Sequence, residues 1–217
     1  GKTSPEAIRA GLHLTGNQGA QLDKIVLAGQ RVMFDAKTHK MFLEQLDGPG
    51  TIAQKMGQGV AGLMGLLWQE SRQSLPPELL IPAGMVLVAT AVEKFGGLDA
   101  LVNCAGIASF GEFATSSEEI LRKVMEINFF APADLIRLCI PHLAASSAKG
   151  PKGWQPTVMN VASICGRAGI PSLPEHCASK FALRGLTQAM AREHAADGIH
   201  VAHVVIDGLI RSAKTTE

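Results

Sequence analysis

Tyrosine is missing altogether, and eight phenylalanines and two tryptophans bring aromatic residues to only 5% of 217 positions. Neither sign of charge dominates: 20 Lys and Arg stand against 19 Asp and Glu, a formal net charge of +1. This balance gives no electrostatic case for binding nucleic acid or an anionic membrane surface. There are no blocks of like charge, which excludes a basic arm or an acidic tail. Cysteine is sparse, at Cys104, Cys139, Cys165 and Cys177, with no CxxC pair. A disulfide scaffold is normally shorter and richer in cysteine, so reduced thiols in a cytoplasmic protein are expected, and no metal site. Long apolar runs are absent. Residues 60–68, read as a candidate membrane segment, are too short to span a bilayer, and residues 1–14 carry no signal-peptide core.

Apolar residues make up 47% of the chain, enough to bury a sizeable core in one domain or one domain plus an appendage. Two regions read differently. Residues 1–87 are poor in strand signals. Ser4, Pro5 and Glu6 form a helix start, with serine as N-cap and proline at the first helical position. Between residues 18 and 46, Leu22, Ile25, Val32, Met33, Phe42, Leu43 and Leu46 recur at helical spacing. Gly48, Pro49 and Gly50 end that run, and Thr51 caps a further candidate helix to Trp68. Its glycines, Gly57, Gly59, Gly62 and Gly65, read as a close-packing face rather than a phosphate loop. Residues 74–77 read as a linker.

Residues 88–217 alternate strands and helices. Strands are predicted at 99–103, 157–161 and 200–206, and helices at 116–143 and 175–195. Ser116 or Ser117 caps the first helix, with Glu118 and Glu119 in its first turn. The order β-α-β-α-β with apolar strands predicts a parallel sheet joined by right-handed crossovers, a partial Rossmann-like α/β domain after a mainly helical segment.

Several motifs fall at the strand ends. Asn103, Cys104, Ala105 and Gly106 close the first strand, and Asn128 lies in the helix after it. Ser163 follows the second strand, His176 comes thirteen residues later, and Lys180 four after that. Asp207 and Gly208 close the third strand. Ligands bind at the carboxyl ends of strands in such sheets, so these positions face one crevice. His176 and Lys180, at i and i+4, share a helix face. Read alone, Ser163 is also a turn cap, Asn128 a buried helix polar group, Lys180 a surface lysine, and Cys165 and Cys177 ordinary core thiols.

In order and spacing these motifs resemble the short-chain dehydrogenase/reductase family over about 120 residues. The resemblance implies an NAD(P)-dependent oxidoreductase acting on a carbonyl or secondary alcohol. It implies Ser163, His176, Lys180 and Asn128 as the catalytic set, with His176 where the family has tyrosine. Asn103, Ala105, Gly106, Lys180, Asp207 and Gly208 would contact NAD or NADP, whose binding is in question without an intact glycine-rich loop. In the family the lysine binds the nicotinamide ribose and lowers the tyrosine pKa, serine hydrogen-bonds the substrate oxygen, and the asparagine holds a relay water. Members commonly pair through the helices corresponding to 116–143 and 175–195, which implies a homo-oligomer. Ile127, Phe130, Leu135, Ile136 and Leu138 on the first of these are more apolar residues than one stripe needs.

Two departures oppose the resemblance. Imidazole can exchange a proton near neutral pH, but it places its nitrogen about 2 Å short of a phenol oxygen, and a misplacement of about 1 Å can cost about a hundredfold. The Lys180 ammonium would favour neutral imidazole. The nearest match to the family's phosphate loop is Thr15, Gly16 and Gly19, with Ala20 and Leu22 where glycines belong. Residues 30–35 resemble the second strand, with Asp35 as its ribose-binding acid, yet lie about a helical turn too close to Thr15. Residues 1–87 are therefore expected to be a mainly helical segment, unrelated to the nucleotide-binding start or a degenerate form of it. Residues 88–217 are expected to be a partial domain truncated at its C-terminal end. The alternative function is an inactive relic or mosaic, with at most an oligomerisation or scaffold role.

Overall fold

In a computed structural model, residues 4–47 and 79–207 are described; they fall in two compact units, residues 1–94 and 95–217. The described part of the first unit is helical. Helix α1 (Pro5–Gly11) starts as its sequence requires: Ser4 Oγ accepts from Ala7 N at 3.1 Å, and Pro5 opens the helix where its missing N–H costs nothing. Helices α2 (Gln18–Phe34), α3 (Ala36–Asp47) and α4 (Leu80–Phe95) follow. Leu22, Ile25 and Val26 of α2 and Ala83 and Val86 of α4 are buried. Gly29 permits close packing, since a Cβ there would sit 2.5 Å from Leu87 Cδ1. Strand pairing involves none of the described residues here, Leu12 to Leu14 included.

The helical run expected over residues 18–46 breaks at Asp35, which adopts an extended conformation. Its carboxylate accepts from Lys37 N and Thr38 N, both at 3.0 Å, and so caps α3. The residues read as a second strand, 30–35, are therefore the last turn of α2 and its cap. Asp35 is a helix cap, not the ribose-binding acid that the resemblance of residues 30–35 to a second strand suggested. The helix expected over 51–68 and the linker at 74–77 lie outside the described residues.

The second unit carries strand β1 (Ala100–Asn103), helix α5 (Glu118–Met125), a π-helical turn (Glu126–Phe130), helix α6 (Ala131–Lys149), strand β2 (Thr157–Ser163), helix α7 (Pro174–Glu193) and strand β3 (His200–Ile206). The three strands pair in parallel in the order β1-β2-β3, with Asn103 opposite Asn160 and Ser163 opposite Ile206. Val158, Asn160 and Ala162 alternate as the buried side of β2. Helices α6 and α7 pack on the strands, and α5 and the π turn pack on α7. Cys139, Leu143 and Leu183 complete this core. Among the described residues no helix is long and apolar enough to cross a membrane.

The helix expected over 116–143 is thus two helices joined by a wider turn, running on to Lys149. Ser117 is the cap, accepting from Ile120 N at 3.3 Å. Pro132 supplies the physical reason for the wider turn. In a regular helix its ring would press on the carbonyl four residues back, at Asn128, and it has no N–H to bond there. The π turn closes instead through Ala131 N to Glu126 O.

Candidate active site

Asn128 is fully buried in the π turn and ties three segments together. Its Oδ1 accepts from Ile107 N at 2.8 Å, and its Nδ2 donates to Ile107 O and Ser179 Oγ, each at 2.9 Å. The loop after β1 is thereby held on α7. Ser179 donates its hydroxyl hydrogen to His176 O at 2.8 Å. His176 Nδ1 lies 2.9 Å from the same Ile107 carbonyl oxygen.

One turn along α7, Lys180 is buried and donates to Val161 O at 3.2 Å. Burial pulls it below the usual lysine range, against smaller opposing effects from Cys104 and Cys165. Gly106 fits closely here: a Cβ would lie 3.3 Å from both Asn128 Oδ1 and Lys180 Nζ. Ala105 and Gly106 are exposed, so the carboxyl end of β1 is open above a buried lysine. Asn103 is buried beneath it; its Nδ2 donates to Asn160 Oδ1 at 2.8 Å, and Asn160 Nδ2 donates to Thr187 Oγ1 at 2.9 Å. That chain fastens β1 to β2 and α7. Ser163 ends β2, with Oγ accepting from Cys165 N at 3.2 Å. It stands between Val161 and Gly166, both of which touch Lys180. Asp207 is exposed at the end of β3, and Gly208 lies outside the described residues.

Asn128, His176, Lys180 and Gly106 therefore form one contact cluster, and Ser163 joins it through the backbone around it. Asn103 acts as a strut below the site. Sequence reasoning missed Ser179, the partner of both Asn128 and His176, although its place three residues after His176 was a usable signal. It also missed the carbonyls of Ile107 and Val161, whose roles have no side-chain signature.

All four cysteines are free thiols. Burial pushes Cys139 up to about 12 and raises Cys104 and Cys165 as well. Cys139 should resist a thiol reagent at pH 8 until the chain unfolds, as a timed labelling assay would show.

Gly166 meets the backbone of α7: a Cβ would lie 3.1 Å from Lys180 O. Gly166→Ala should lower stability by about 1 kcal/mol, because a backbone atom must shift by a few tenths of an ångström. Thermal unfolding of the variant checks this.

Burial lowers His176 below its usual value of 6.5; the Ile107 hydrogen bond opposes the shift, and Lys180 adds to it. His203 is lowered by burial, then by Arg184 and Lys180. Between each lowered folded value and 6.5 the unfolded chain binds more protons, so stability rises with pH through that window and is fully present above it. Acidification from pH 7.5 to 5.5 should lower the unfolding temperature, and less so in His176→Gln.

The sequence profile of the short chain dehydrogenase family matches residues 84–216. An L-2,3-butanediol dehydrogenase of Corynebacterium glutamicum is 38% identical over 120 residues, 55% of this chain and 44% of that protein. A 3-ketodihydrosphingosine reductase of Dictyostelium discoideum is 35% identical over 98 residues, 45% of this chain and 28% of the relative. Among solved structures, a 3-ketoacyl-(acyl-carrier-protein) reductase of Brucella melitensis complexed with NADH superposes with a TM-score of 0.54 at 28% identity. That match covers 58% of this chain and 51% of the other. The chain thus spans about half or less of these proteins' lengths. With the matched profile covering most of its residues, the chain belongs to the short-chain dehydrogenase/reductase family.

Proposed function

We propose that residues 95–207 carry an NAD(P)-dependent oxidoreductase site for a small carbonyl compound or secondary alcohol, working well below the family's usual efficiency. The observation that carries this reading is the cluster of Asn128, His176, Ser179 and Lys180 around Gly106 and Ile107 at the carboxyl end of β1. That arrangement fits a nicotinamide. Ala105 and Gly106 leave room for a flat ring against the backbone, and Lys180 offers a buried cation near a ribose. Ser163 would hold a substrate oxygen and His176 would exchange its proton. A bound nicotinamide would supply the hydride chemistry.

An inactive relic with an oligomerisation or scaffold role is the second reading. It is favoured by histidine in place of tyrosine and by the helical character of residues 4–47, where the family's phosphate loop would be sought. We place the protein in the cytoplasm, in keeping with four free thiols. We also propose a homo-oligomer formed through α5, α6 and α7, since Phe130 is 48% and Phe181 44% exposed. Light scattering at high concentration should give more than the monomer mass.

Fluorescence titration with NADH and NADPH separates the two readings. Saturable enhancement of cofactor fluorescence, lost in Lys180→Met, is expected from the first. No binding of either cofactor by the folded chain would leave the second.

A further inference from the structure

His176 holds a position from which its tautomer can be deduced. The Ile107 carbonyl oxygen, 2.9 Å from Nδ1, can only accept, so Nδ1 must carry a hydrogen to make that bond. The alternative donor to Nδ1 would be Asn128 Nδ2, at 3.4 Å. Both amide hydrogens of Asn128 are already committed, one to Ile107 O and one to Ser179 Oγ. Ser179 cannot release the second, because its own hydrogen goes to His176 O and it must accept. The amide cannot be flipped, because Oδ1 accepts from Ile107 N. Every hydrogen in this circuit is therefore assigned, and neutral His176 is the Nδ1–H form. Its Nε2 bears a lone pair. Nε2 has no partner among the described residues and is not a buried atom.

We propose that His176 Nε2 is a fixed hydrogen-bond acceptor facing the ligand, so that the site takes a secondary alcohol in preference to the ketone of the same skeleton. The proposal rests on the oxidoreductase reading and adds the ligand class to it. A ketone oxygen offers only lone pairs, and against Nε2 it would leave two acceptors facing each other. An alcohol offers the hydrogen that Nε2 lacks. Ser163 ends β2 beside the same cluster, its Oγ accepting from Cys165 N and its hydroxyl also engaged with the Cys165 thiol.

The surroundings of His176 keep it neutral. Burial disfavours the imidazolium, and the charged group facing the ring is the Lys180 ammonium on the same helix. Asn128 from the π turn and Ser179 from α7 are neutral. The neighbouring Glu175 carboxyl is buried in the first turn of α7, with one oxygen lacking a partner. In alcohol oxidation an oxidised nicotinamide, when bound, supplies the hydride acceptor. This chain's share is the proton: the hydroxyl O–H bond breaks, the Nε2–H bond forms, and the imidazolium then releases its proton to water.

The test needs no turnover. Two-bond ¹H–¹⁵N correlation spectra of the ¹⁵N-histidine-labelled chain at pH 7.5 should show His176 Nδ1 protonated and Nε2 bare. A predominant Nε2–H form overturns the proposal. Titration with cyclohexanol and cyclohexanone, followed at the Nε2 resonance, should show the alcohol binding about tenfold more tightly. The preference should shrink or reverse once acidification protonates the ring, as the same Nε2 resonance reports, because imidazolium donates. Equal affinities, tighter ketone binding, or an Nε2 signal unmoved by either compound would each overturn it. Cofactor fluorescence in the same samples distinguishes the failures. If NADH binds, only the acceptor proposal falls; if neither cofactor binds, the oxidoreductase reading falls with it.

Discussion

Carbonyl reduction by the native chain with NADH or NADPH is expected to run at least about a hundredfold below an ordinary enzyme, and His176→Tyr alone is expected not to restore it. Three physical effects act together. An imidazole at position 176 places its nitrogen about 2 Å short of a phenol oxygen on the same backbone, and misplacement of about 1 Å can cost about a hundredfold. Neutral His176, with its hydrogen on Nδ1 toward Ile107 O, has none on Nε2 to give a developing alkoxide. Protonation would supply one, but burial and Lys180 disfavour it. Tyrosine would repair the reach and the donor together. It would not supply a pyrophosphate anchor, and the residues nearest that motif, Thr15 to Leu22, are a turn leading into α2 with no preceding strand among the described residues. A nicotinamide held without such an anchor would lose positioning, which can supply about 7–11 kcal/mol of barrier reduction. The assay compares both chains in NADH and NADPH oxidation against a panel of ketones and aldehydes. Ordinary rates in the native chain would make histidine a working acid. Ordinary rates in the tyrosine variant alone would show the cofactor site to be intact.

Asn128→Ala should lower stability by about 3 kcal/mol, or roughly 6–12 °C in unfolding temperature for a chain of this size. The side chain is fully buried and makes three hydrogen bonds of 2.8–2.9 Å. Removing it leaves Ile107 N without its acceptor and weakens the hold on the Ile107 carbonyl and on Ser179 Oγ. Unsatisfied buried groups of this kind cost about 1–3 kcal/mol each. The loop from Gly106 onward then loses its tie to α7, so His176 should also lose its fixed tautomer. A change below about 1 kcal/mol by chemical denaturation would mean that the loop is held by other contacts.

The strands and helices of the second unit were legible because their signals are local. Short apolar runs bounded by Gly106, Ser163 and Asp207 mark the strands, and β3 spans residues 200–206, as expected. Helix α5 begins at a serine cap followed by two glutamates, which a sequence shows directly. The π turn was not legible. Pro132 hints at it, but whether the chain kinks, ends or widens there depends on packing against α7. Asp35 shows the opposite failure. An acid after an apolar run looks like the ribose-binding residue that ends a second strand, but its nearest donors are the N–H groups of the helix that it begins.

The candidate site positions, their order along the chain and the parallel α/β architecture were legible in the sequence, because side-chain type and hydrophobic period are written residue by residue. The proton map of the site was decided only by tertiary structure. Nothing in the residues 103–107 or 175–180 says that a single carbonyl, Ile107 O, receives both Asn128 Nδ2 and His176 Nδ1. Backbone carbonyls are the same at every position, so which of them meets a ring nitrogen depends on how the loop after β1, the π turn and α7 come together. That meeting leaves the lone pair of His176 on Nε2, where a ligand's hydroxyl hydrogen can reach it.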